Sequence, residues 1–184
     1  GFNGKQVIYI IVFISSLAVF YPIWNDGMRN LRKADINEVS SVLLVIAVFG
    51  VVMAAILNCS ANQAGIHAEN DAFLPDTIFV SVIFSPIIEE FYCRGAVIYL
   101  FKNAFHAVDS VCILASALIF ALFHYKSLIN GDVKYIICYF LIYFILGIGC
   151  SYLYLKTNNI LSPVILHMIW NLSTVGGSII ANMK

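Results

Sequence analysis

Apolar residues come in six long runs separated by short polar segments, and this alternation predicts a bundle of membrane-crossing helices. About 20 predominantly apolar residues span a hydrocarbon core. The runs extend from Val7 to Trp24, Val39 to Leu57, Thr77 to Phe101, Ser110 to Tyr125, Val133 to Leu155 and Ile160 to Ala181. The first follows Lys5, as a signal peptide would, but Tyr21-Pro22-Ile23-Trp24 at its end reads as an aromatic interfacial anchor rather than a cleavage site. The fourth is short and ends in His124-Tyr125-Lys126. No internal repeat or low-complexity tract interrupts the chain, so residues 1–184 read as one all-α, polytopic transmembrane domain.

Composition agrees with this pattern. Of 184 residues, 61% are hydrophobic and 11% charged, against about 45–50% apolar in soluble domains. Mean hydropathy is +0.92. Formal net charge is zero and there is no basic run, which argues against nucleic acid as a partner. Cys59, Cys93, Cys112, Cys138 and Cys150 are scattered without CxxC spacing, so they read as small buried hydrophobes rather than a disulfide or zinc framework. Six crossings put both termini on one side. Lysines and arginines divide nearly evenly between the two sides, which leaves orientation open; the Arg29 to Lys33 cluster weakly favours a cytoplasmic loop there. The stretch Asn58 to Asp76, with His67, Glu69, Asp71 and Asp76 but no Lys or Arg, reads as a polar connector of lid length.

The third run is the informative one, because Glu89, Glu90 and Arg94 lie inside it. Each ionisable group at the centre of a membrane helix costs roughly 2.5–3.5 kcal/mol on insertion scales. Consecutive helical residues point about 100° apart, so the two acids are expected to meet different neighbours. Glu90 and Arg94 are spaced i, i+4 with the acid first, the favourable order for an intrahelical ion pair. Glu89 is left to face other helices. Pro86, three residues earlier, removes a backbone hydrogen bond and is expected to kink the helix and free carbonyls.

Two other runs carry polar residues at matching spacing. Phe120 stands one turn before His124, and His167 one turn before Asn171. A lone membrane histidine is usually a packing residue. Two histidines, an asparagine and an unpaired carboxylate on three helices bury their polar ends cheaply only by converging, because lipid supplies no partner. At 1.5 Å per residue, Glu89 is about 18 Å and His167 about 11 Å into oppositely directed segments, hence both near the midplane; His124 falls nearer the side of the termini.

Such a set supports water activation by a carboxylate and an imidazole, with a second imidazole and a carboxamide binding the oxyanion of an attacked carbonyl. Glu89, His124 and His167 are also an acceptable zinc ligand set with water in a fourth position. Chemistry alone leaves both open. Cys93, one turn from Glu89, lacks a nearby base and is a poor candidate nucleophile. Two non-hydrolytic classes also remain: a membrane protein that binds and shields a partner, with the polar cluster as interhelical glue, and a proton-coupled transporter using Glu89 and the histidines as a relay. Gly147 with Ser151, and Ala117 with Ala121, have small-xxx-small spacing suited to close helix approach, within the bundle or between copies.

The residues Glu89-Glu90-x-x-x-Arg94, Phe120-x-x-x-His124 and His167-x-x-x-Asn171 resemble, complete and in order, the EExxxR, FxxxH and HxxxN motifs of the CAAX protease and bacteriocin-processing (CPBP, Abi) family, whose eukaryotic member is the Ras-converting enzyme. The resemblance covers Thr77 to Ala181. It implies an intramembrane endopeptidase with a four-helix catalytic core over 77–181 and two accessory helices over 7–57. It further implies water activation by Glu89 and His124, oxyanion binding by His167 and Asn171, and support of the site by Glu90 and Arg94. A cofactor is either absent or a divalent metal such as zinc. The implied substrate is a membrane-associated peptide or protein. The short chain is more similar to the bacterial branch, which implies a multi-pass protein of a bacterial cytoplasmic membrane and roles in peptide maturation or bacteriocin self-immunity.

Overall fold

A computed structural model describes residues 33–64, 79–124 and 133–182, together with isolated helical positions between 11 and 30. Among the described residues every regular element is helical. α1 is Lys33–Ala64, α2 Ser85–Glu90, α3 Tyr99–Asn103, α4 Asp109–Phe123, α5 Val133–Thr157 and α6 Leu161–Asn182. Two π-helical stretches, Val80–Phe84 and Phe91–Ile98, flank α2. The junction residues Ser85, Phe91 and Tyr99 all keep right-handed helical dihedrals, so residues 79–103 form one uninterrupted rod.

Helices occupy the second to sixth apolar runs, with shifted ends. The run from Val7 to Trp24 lies largely outside the described residues, as do His67, Glu69, Asp71 and Asp76. α1 begins six residues before Val39 and continues to Ala64, so the first part of the expected Asn58 to Asp76 connector is helix. Lys33-Ala34-Asp35-Ile36-Asn37-Glu38 contains no Gly or Pro, and Asp35 in the first turn suits the helix dipole, so the helix outruns its apolar part. α4 stops at Phe123 rather than Tyr125, and His124 leaves helical geometry at φ −87°, ψ 21°. Among the described residues two helices are long and apolar enough to cross a membrane, over Asp35–Val52 and Ile136–Thr157; α4 and Leu161–Val175 are apolar but shorter.

The helices are apolar on their outer faces as well as in the core. On α4, Val111, Leu114, Leu118 and Leu122 face outward, whereas Cys112, Ser116, Ala117, Phe120 and Ala121 are buried. α1 likewise exposes Leu44, Val45, Val48, Val51 and Val52. Contiguous apolar stripes of this size suit lipid and not water.

Small residues set the spacing beneath them. α4 lies along α5, where a Cβ on Gly147 would come within 2.9 Å of the Ala117 Cα and 3.1 Å of its Cβ. Gly147 and Ala117, from the two small-xxx-small pairs, thus serve packing within the bundle. α5 turns into α6 in three residues. Asn158 adopts φ 49°, a left-handed conformation that asparagine tolerates, and Asn159 Oδ1 accepts the Leu161 N–H at 3.0 Å to cap α6. At the far end of α5 from Val133, Tyr152 donates to Glu38 of α1 at 3.0 Å, and Lys156 lies 3.3 Å from the same carboxylate. In the α3 to α4 connection, Lys102 pairs with Asp109, whose hydrogen bond raises the ammonium pKa above its ordinary value.

The rod is tied to its neighbours by polar bonds. Ser116 of α4 donates to the Cys93 carbonyl at 2.8 Å. Arg94, fully buried, lies 3.1 Å from Glu90 through Nε, donates from Nη2 to the Gly147 carbonyl at 2.9 Å, and carries its guanidinium 4.8 Å above the Phe120 ring. The four cysteines with described side chains, Cys93, Cys112, Cys138 and Cys150, are buried free thiols.

Two stability differences follow. Gly147→Ala forces a Cβ against helix backbone, where nothing can yield cheaply, whereas Gly149→Ala first meets the flexible Cδ1 end of Ile46. Overpacking typically costs about 1–3 kcal/mol, so thermal melting in detergent should fall for Gly147→Ala and fall less, or not at all, for Gly149→Ala. Arg94→Met strands the Glu90 carboxylate in a dry core, an arrangement worth about 3–5 kcal/mol; its melting temperature should fall well below that of the isosteric double variant Glu90→Gln/Arg94→Met.

Candidate active site

Pro86 and the π-helical turn before it determine how the acids are presented. The Ser85 N–H bonds to the Val80 carbonyl, five residues back. In that register the next donor would be Pro86, which has no N–H, so the Ser81 carbonyl loses its helical partner. Asn171 of α6 replaces it, donating Nδ2–H to Ser81 O at 2.8 Å. The expected effect of Pro86 is therefore present as a freed carbonyl in a widened turn, with the rod remaining continuous.

Glu89, Glu90, His124 and His167 come together, from the rod, the end of α4 and α6. Glu89 Oε2 stands 3.7 Å from His124 Nε2 and 3.8 Å from His167 Nε2. Both distances exceed a hydrogen bond, and Oε2 is itself buried without a hydrogen-bonding partner. Its other oxygen, Oε1, accepts the Ser85 hydroxyl at 2.6 Å. His167 Nδ1 lies 2.9 Å from Glu90 Oε1. The two acids thus share a neighbour, contrary to the expectation from helical geometry. Their side chains diverge, but the imidazole reaches between them and presents one nitrogen to each.

Both rings are oriented through Nδ1. His124 Nδ1 is 2.9 Å from the Phe120 carbonyl, which can only accept, so Nδ1 carries the proton. His167 Nδ1 likewise donates to the Glu90 carboxylate. In the neutral rings each Nε2 then bears a lone pair, and three acceptors converge on one point. Such a point attracts protons: a water donating both of its own, or a protonated imidazole.

Aromatic rings frame this point. Phe120 is fully buried and packs 4.7 Å from the His124 ring and edge-on, at 5.4 Å, to His167. Tyr143 of α5 stacks on His124 at 4.0 Å with the planes 20° apart. Access is asymmetric: the His167 side chain is 3% exposed, those of His124 and Glu89 22% and 25%. The site is neither sealed nor open on all sides.

Sequence reasoning passed over Ser85, Tyr143 and the Ser81 carbonyl. Tyr143 belongs to no motif and sits in an apolar run among other tyrosines. Ser85 is one turn before Glu89 and was visible as an i, i+4 pair, but a helical serine ordinarily bonds back to its own helix.

The donor set suits zinc chemically, and each ligand's second nitrogen is oriented as metal-bound histidines usually are. The spacing is slightly wide for a bound ion. Ligands at 2.0–2.2 Å in a tetrahedral site stand roughly 3.3–3.5 Å apart, closer than the 3.7 and 3.8 Å found. Among the described residues no group of three or more His, Cys, Asp or Glu side chains has metal-holding geometry.

No match was found among curated proteins or solved structures. One family does match: the family described as type II CAAX prenyl endopeptidase Rce1-like aligns with residues 70–173, more than half of the chain, and spans all three motifs. With His124 and His167 standing within 3.8 Å of one Glu89 oxygen and the alignment covering all three motifs, the chain belongs to the Rce1-like family of CAAX endopeptidases, integral membrane proteases.

Proposed function

We propose that the chain is an intramembrane endopeptidase that hydrolyses a peptide bond of a membrane-associated peptide or protein, with Glu89 and His124 activating water and His167 and Asn171 binding the oxyanion. The observation that carries this reading is the convergence of Glu89 Oε2 with the His124 and His167 Nε2 atoms at 3.7 and 3.8 Å. A water bridging Glu89 Oε2 and His124 Nε2 directs its protons to them and its lone pair away, toward a substrate carbonyl. As oxygen attacks carbon, one water proton passes to the Glu89–His124 pair; when the tetrahedral intermediate collapses, that proton goes to the leaving amine.

His167 has the complementary task. Its Nδ1–H is held by Glu90, so only the imidazolium form can offer Nε2–H to an oxyanion, and the Glu90 carboxylate compensates that charge. Asn171 has one N–H engaged by Ser81 O, leaving the second for the same oxyanion. Glu90 and Arg94 hold the rod against α5 and α6. In this reading the chain crosses the membrane six times, residues 77–181 form a four-helix catalytic core, the helices within 7–57 are accessory, and the protein is a multi-pass component of a bacterial membrane. In this reading no step runs through a metal.

A quenched fluorescent peptide with a prenylated cysteine followed by three C-terminal residues, in proteoliposomes, tests the activity. Glu89→Gln and His124→Ala should each lower kcat by at least about 10²-fold, the lower range for general acid–base catalysis, while melting temperature stays near that of the native chain. Retained hydrolysis in Glu89→Gln would assign the cluster to interhelical glue. Cleavage should also persist in EDTA and 1,10-phenanthroline; loss in chelator with recovery on adding Zn²⁺ would overturn the metal-free mechanism.

A further inference from the structure

Four hydroxyl side chains in the described helices return to the carbonyl four residues earlier: Ser40 to Ile36, Ser41 to Asn37, Thr157 to Leu153 and Ser173 to Ile169, at 2.8–3.0 Å. Ser85 does not. Its hydroxyl points forward to Glu89 Oε1 at 2.6 Å, the short distance of a charge-assisted bond. The carbonyl available to Ser85 is that of Ser81, already engaged by Asn171 at 2.8 Å. Asn171 thereby relieves the carbonyl orphaned by Pro86, while the Ser85 hydroxyl goes to the acid.

Glu89 needs such a holder. The terminal torsion of a glutamate is broad, so packing alone does not fix the plane of its carboxylate. The two imidazoles stand 3.7 and 3.8 Å away, too far to grip Oε2 directly. Arg94 is committed to Glu90 and to the Gly147 carbonyl. The Ser85 bond to Oε1 is thus the short contact that sets the carboxylate plane and aims Oε2 between the two Nε2 atoms.

We propose that Ser85 is a positioning residue for hydrolysis, orienting the Glu89 carboxylate through its hydrogen bond to Oε1. The proposal rests on the reading of Glu89 as the water-activating group. Ser85 touches no substrate; it acts through Glu89, so its loss should lower kcat and spare KM.

The test uses the full chain in proteoliposomes and the same prenylated peptide, with native protein, Ser85→Ala, Ser85→Cys, Ser85→Thr and Glu89→Gln. Ser85→Ala and Ser85→Cys, the latter keeping the volume but only a weak donor, should lower kcat about ten-fold or more with KM within about two-fold. Ser85→Thr, which restores the hydroxyl, should keep kcat within about three-fold of native. Should Ser85→Ala fail to fold, the Cys and Thr variants make the same comparison. Native kcat in the Cys variant, or an equal fall in Cys and Thr, overturns the role of Ser85 and leaves the water-activating reading standing if Glu89→Gln is inactive. Native-like cleavage by Glu89→Gln, or no cleavage of the peptide by the native chain, overturns that reading and the role of Ser85 with it.

Discussion

Glu90 is the carboxylate on which the helices of this protein agree. It is fully buried, it faces Arg94 on its own rod through one oxygen and accepts from His167 of α6 through the other. Arg94 extends the network to the Gly147 carbonyl of α5 and the ring of Phe120 on α4. Removing two such ions from water costs several kcal/mol each. That cost is recovered only in one relative placement of four segments. A displaced α6 would leave His167 Nδ1 and Glu90 Oε1 both unanswered, and a separated α5 would strand Nη2. Apolar packing against lipid is tolerant by comparison, since side chain and solvent are equally greasy.

The same network connects scaffold to chemistry through one ring. His167 takes its orientation from Glu90 and turns its opposite edge toward Glu89, so the buried ion pair sets where the second acid finds its neighbour. The adjacent acids have unlike surroundings: Glu90 has no exposed surface and charged company, Glu89 is one quarter exposed and has a hydroxyl on one oxygen. Adjacent positions on a helix are an economical way to obtain two carboxylates with different tasks.

Much of this was legible beforehand. That helices lie within the runs Val39 to Leu57, Thr77 to Phe101, Ser110 to Tyr125, Val133 to Leu155 and Ile160 to Ala181 follows from hydropathy, because lipid forces the backbone to satisfy itself. The pairing of Glu90 with Arg94, and the convergence of Glu89 with both histidines, follow from the cost of leaving them apart. What hydropathy missed is of another kind. α1 overruns its apolar window because nothing in Lys33 to Glu38 breaks a helix, and an apolar count does not register helix in water. The first π-helical turn cannot be read locally, since the Ser81 carbonyl that it frees is met by a donor from Asn171, ninety residues away. His167 between two acids escaped because spacing gives the direction of a side chain and not the width of an imidazole.

The unequal exposure of the two imidazoles has a directional consequence. With His167 covered and His124 and Glu89 partly open, the proposed reaction would bring a peptide bond to Glu89 from the flank of His124. An incoming segment still wound as a helix keeps its carbonyls in its own hydrogen bonds, pointing along its axis. Under the proposed hydrolysis it would have to arrive locally straightened, which would favour membrane-borne chains whose ends uncoil readily.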